Sequence, residues 1–212
     1  MLFRSGQHQA GRRRVEVERP PEVERPDQAE EAGGEAVGFF GLIGTLYFGR
    51  TFDLDPAATG LVLACFFVPF ALLQYPLGAL SDRIGRVAPI VAGSVGYGLS
   101  IVGVGLAPTV PTAAAGMVVV GVLGALVAPA TMALVTDLAA AGERGAAMGG
   151  FNVFGSLGFL GGILVGSGVA DAYGFLAAFL VAGGLEAGVV LVALPTLVRT
   201  VPDPTATFGG SR

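Results

Sequence analysis

Five stretches of more than twenty residues with almost no charge, each ended by a short charged or glycine-containing turn, constrain this chain most. They cover residues 57–80, 87–107, 112–136, 145–170 and 174–197. A helix rises about 1.5 Å per residue and a hydrocarbon core is about 30 Å thick, so about 20 apolar residues cross it. All five qualify. A sixth run, 37–48, has only twelve residues, about 18 Å of helix, and follows Glu30, Glu31 and Glu35. It reads as the back half of a helix whose front half is missing.

Composition agrees. Charged side chains make up 13% of the 212 residues and hydrophobic ones 53%, with a mean hydropathy of +0.73, whereas soluble domains carry about 25% charge. Residues 1–36 hold 14 of the 28 charges and repeat a Val-Glu-Arg-Pro unit at 17–20 and 23–26. Such a segment has too little apolar surface to offset its ordering entropy, and it is expected to be a disordered tail or linker. The expected organisation is therefore 1–36 as tail, 37–198 as an all-α polytopic membrane bundle, and 199–212 as a second tail.

The same counts exclude several chemistries. One cysteine, Cys65, allows no intrachain disulfide, and the single histidine, His8, lies in the tail. No metal centre and no histidine-dependent catalysis is expected from so few ligands, so the chain does not read as an enzyme. A net charge of −4 argues against nucleic acid as a partner. The partners expected instead are the lipid bilayer and a small-molecule substrate.

Arginine placement orients the spans. If all six runs cross, one side receives eleven arginines, including Arg83, Arg86, Arg144 and Arg199, and the other receives Arg50 alone beside Asp53, Asp55 and Asp171. Both termini are then cytoplasmic, in a multi-pass protein of the cell membrane. Should the short first run fail to insert, the tail lies outside and five spans remain. Within the spans, Gly158, Gly162 and Gly166 recur every four residues and share one helical ridge. Small residues let helices approach closely in lipid, so the ridge reads as packing surface, or as a smooth track along which one helix slides.

Between the runs 57–80 and 87–107 stands Gly78-Ala-Leu-Ser-Asp82-Arg83-Ile-Gly85-Arg86. Asp82 could accept hydrogen bonds at a helix N-terminus, and the arginines could complement helix C-termini or anionic lipid; a plain positive-inside anchor is the alternative. The loop resembles the signature G-x-x-x-D-R-x-G-R of the major facilitator superfamily, matching at Gly78, Asp82, Arg83, Gly85 and Arg86. The resemblance implies a gating latch whose contacts hold one access state and break as two six-helix halves rock. It covers about residues 37–198 and implies half of such a bundle, five full transmembrane helices plus a short first one. No arginine lies in 112–136 and no proline in Leu157-Gly158-Phe159-Leu160-Gly161-Gly162, where first halves and drug antiporters of the family carry them. The spans therefore resemble helices seven to twelve, and the sequence after the last span, Arg199-Thr-Val-Pro-Asp-Pro204, is unlike that of the sugar porters.

By that resemblance Gln74 and Asn152, with Phe70 and Phe154, are substrate-path candidates, and helix-helix contact is the alternative reading for each. Glu186 is the one charge deep in a span. A central acid costs a few kcal/mol to insert, so it is either a coupling site or a structural acid. No cofactor is expected beyond a coupled proton or ion. Asp137 and the Glu143-Arg144 pair read as caps and interface anchors. The function expected is secondary transport by alternating access, completed by a second six-helix half from a longer chain or from a homodimer. A non-transporting membrane packing or regulatory module, or a truncated gene remnant, is the alternative.

Overall fold

The computed structural model describes residues 38–201; the expectations for residues 1–36 and for the C-terminal tail beyond Val201 lie outside them. A π-helical turn, Phe40–Gly44, runs directly into α1, Thr45–Thr51. Five long helices follow: α2 Pro56–Ile84, α3 Val87–Gly105, α4 Val110–Leu138, α5 Arg144–Tyr173 and α6 Phe175–Thr200. All five are long and apolar enough to cross a membrane. The shortest, α3, has 19 residues, about 28 Å. Connections of one to five residues leave successive helices antiparallel.

Local chemistry sets the ends. Asp55 accepts the Ala58 N–H at 2.7 Å ahead of Pro56 at the start of α2, where the missing proline N–H costs nothing. Thr109 and Thr112 form a reciprocal capping box at the start of α4. Gly85 and Gly174 turn the chain at φ 90° and 85°, in the left-handed region open to glycine.

The helices overrun the apolar runs at their Arg-rich ends. Ser81, Asp82 and Arg83 belong to the last turn of α2 and Asp137 to the last turn of α4, so the six-residue turn read from the sequence shrinks to Gly85 and Arg86. Backbone hydrogen bonding continues past the apolar run because the helix still satisfies the N–H and C=O groups of these residues. Pro69 and Pro76 lie inside α2 and Pro129 inside α4, whereas Pro89 sits in the first turn of α3, where it breaks no bond.

Packing rests on glycines. α2 lies along α4, α3 along α4 and α6, and α5 along α6. A methyl group on Gly98 of α3 would overlap the Gly183 carbonyl of α6, and one on Gly183 would overlap the Gly98 carbonyl. Gly121 of α4 meets the Phe66 carbonyl of α2 in the same way. The first helix drops into the groove so formed: Phe39 and Ile43 sit on Gly166 of α5, and Phe39, Phe40 and Tyr47 pack edge-on against Phe179 of α6. Tyr47 also donates its hydroxyl to the Val104 carbonyl at 3.2 Å, tying the first helix to the end of α3.

Gly98→Ala is therefore expected to destabilise the bundle by about 1–3 kcal/mol through overpacking, seen as a lowered unfolding temperature in detergent. Gly184→Ala, where an added methyl meets open space, serves as the control. Equal losses in the two variants would contradict the packing described.

Candidate functional site

The Arg-rich end of α2 and α4 is built by two glycines. Gly78 lets α2 approach α4 so closely that an added methyl would lie 3.3 Å from the Pro129 Cβ. Gly85, at φ 90°, then reverses the chain so that Arg86 points back over the end of α2. Its Nη1 donates to Ser81 Oγ at 2.9 Å and to the Asp82 carboxylate, and its Nε donates to Asp137 Oδ2 at 3.2 Å. One guanidinium thus joins the last turns of two helices.

Both acids sit where helix dipoles disfavour them, since a helix C-terminus carries partial negative charge. Arg86 supplies the compensating cation. Its side chain is 18% exposed, against 61% for Asp82 and 57% for Asp137, so each pair is screened and contributes at most about 1 kcal/mol. The cluster is a directional fastening more than a source of stability. Arg83, two residues from Gly85, is exposed and forms no ion pair among the described residues.

The other candidates do not converge on this cluster. Gln74 is half-buried on α2 and Asn152 exposed on α5, and no hydrogen bond joins them. Phe70 stacks on Phe66 with ring centroids 5.4 Å apart and reaches Gly124 of α4, which commits it to the α2–α4 contact. Phe154 is half-buried on α5, while Gly158, Gly162 and Gly166 are buried along one face of that helix. Glu186 is 3% exposed on α6, three residues from the Gly98–Gly183 crossing, and within electrostatic reach of Tyr97 of α3. It faces the bundle interior.

The pairing of Asp137 with Arg86 and the contact of Ser81 with Arg86 are not legible in the sequence. Asp137, expected as a cap or interface anchor, lies at the wrong end of α4 for capping and instead accepts from Arg86, 51 residues away. An acid in a C-terminal helical turn was the available signal, because such a group needs a nearby cation. Asp82 likewise accepts from Arg86 and not from a helix N-terminus, and Glu143 makes no side-chain cap at the start of α5.

Five antiparallel helices, each long and apolar enough to cross a bilayer, define a multi-pass membrane protein of the all-α class. The family model of the Major Facilitator Superfamily matches residues 33–211, and the chain belongs to this family of membrane transporters. A comparison with curated proteins gives no match.

Partial burial of Arg86 opposes its charge, but the hydrogen bonds and fields of Asp82 and Asp137 outweigh it and raise the guanidinium pKa above its ordinary value. A raised folded-state value means the stabilisation is complete below the ordinary arginine range and is lost only as pH climbs through the raised one. The difference in unfolding temperature between the wild type and Arg86→Ala is therefore expected to stay level from about pH 7 to pH 9. A steady decline over that window would contradict the assignment.

Proposed function

We propose that this bundle forms one wall of a secondary transporter that moves a small solute by alternating access, with the Arg86 cluster as the latch of one access state. The observation that carries this reading is the bridge from Arg86 to Asp137. A short connection that fastens the ends of α2 and α4 resists their separation, and two exposed acids make the fastening weak enough to break in each cycle. A coupling of about 1 kcal/mol shifts a two-state equilibrium about fivefold.

The second wall is a second six-helix bundle, either another copy or the other half of a longer chain. α2 and α5 bury the smallest share of their spans and leave Leu61, Leu72, Leu157 and Leu164 exposed, which suits them to the seam between two bundles. The Arg-rich end and both termini face the cytoplasm, in the cell membrane, following the charge asymmetry. Gln74, Asn152 and Phe154 are the substrate-path residues of this reading, and a proton or ion is the coupled species. Glu186 is the candidate coupling acid, and Glu186→Gln is expected to abolish the pH dependence of transport.

Uptake into proteoliposomes, screened over a panel of small solutes, tests the proposal. Asp82→Asn is expected to change the rate for the transported solute by up to about fivefold without loss of folded protein. Unaltered uptake in that variant would rule out the latch.

A further inference from the structure

Ser81 is a polar residue at the charged end of the bundle, yet its side chain is fully buried, while Asp82 beside it is exposed. Its hydroxyl oxygen accepts a hydrogen bond from Arg86 Nη1 at 2.9 Å. A guanidinium is a rigid plane with five N–H donors in fixed directions. Once Nη1 is held at two points on α2, by Ser81 and by Asp82, the direction of Nε is set as well, and Nε is the atom that reaches Asp137. Asp82 alone offers no such constraint. Its carboxylate is 61% exposed, and an arginine that followed it could swing outward into water. The buried hydroxyl draws the guanidinium inward, under the turn made by Gly85.

We propose that Ser81 is a positioning residue for the latch: its hydroxyl orients Arg86 so that α4 is engaged through Asp137. The proposal rests on the latch reading above for its functional meaning, but its physical content stands separately. Ser81 and Asp137 are linked in the hydrogen-bond network through Arg86, so coupling carried by that network passes through that side chain and is distinguished from coupling through packing by removing it. Loss of the hydroxyl frees Arg86 to follow Asp82 outward, and the bond to Asp137 lapses although both charges remain.

A thermodynamic cycle on the full chain in detergent tests this. Ser81→Ala, Asp137→Asn and the double variant are compared by unfolding temperature, in the wild-type and Arg86→Ala backgrounds. The shift caused by Asp137→Asn is expected to fall by at least half once Ser81 is alanine, to recover in Ser81→Thr, which keeps the hydroxyl, and to show no dependence on residue 81 when Arg86 is absent. A buried serine that merely fills space gives additive shifts, and additivity would overturn the proposal, as would coupling that survives the loss of Arg86. The latch itself is judged on uptake by Asp82→Asn. Non-additive shifts with unaltered uptake would sink the latch and spare the positioning role; additive shifts with altered uptake would do the reverse.

Discussion

Lipid gives helices no hydrophobic reason to associate, because a neighbouring acyl chain is as apolar as a neighbouring leucine. Everything in this bundle follows from how that lack is made good. Where α3 crosses α6, Gly98 and Gly183 bring two backbones into direct contact, and dispersion across that contact replaces the missing hydrophobic force. Gly121 against Phe66 does the same for α2 and α4. The abundance of glycine, 35 residues of 212, would weaken helices in water. Inside a membrane the helices persist because their backbone groups have no other partner, and the glycines are free to serve as contact surface.

Close approach also explains how two acids can lie at one end of the bundle. Gly78 against Pro129 draws the last turns of α2 and α4 together, and each ends in a carboxylate that its own helix dipole disfavours. A single arginine on a two-residue connection reaches both. Removing any member leaves the others poorly placed: without Gly85 the chain does not fold back, without Arg86 the acids oppose the dipoles, and without Asp137 the connection holds only its own helix. The motif is therefore a set of geometric requirements, and the partner outside it, Asp137, is what turns a turn into a tie between helices.

Much of this was legible in residue order. The five long apolar runs, their alternating direction and the Asp82 to Arg86 motif follow from hydropathy and spacing, which depend on neighbours along the chain. What remained hidden depends on neighbours across space. Asp137 could not be matched to Arg86 because 51 residues separate them, and Ser81 carries no charge to draw notice. Four of the five long helices end two to four residues beyond their apolar runs because hydropathy falls before helicity does, whereas α3 ends at Gly105, two residues short of its run. Glu186 is legible as the one charge deep in a span, but its burial three residues from the Gly98–Gly183 contact comes from the crossing of α3 and α6.

Arg86 fastens the end of α2 to the end of α4. Spin labels on cysteines placed at Ile84 and Leu138, both exposed at those ends, in a chain with Cys65 changed to serine, measure that fastening directly by pulsed electron resonance in lipid nanodiscs. One narrow distance distribution is expected with Arg86 present, and a broader one with added longer distances after Arg86→Ala. An unchanged distribution in the variant would show that the two helix ends are held by packing alone.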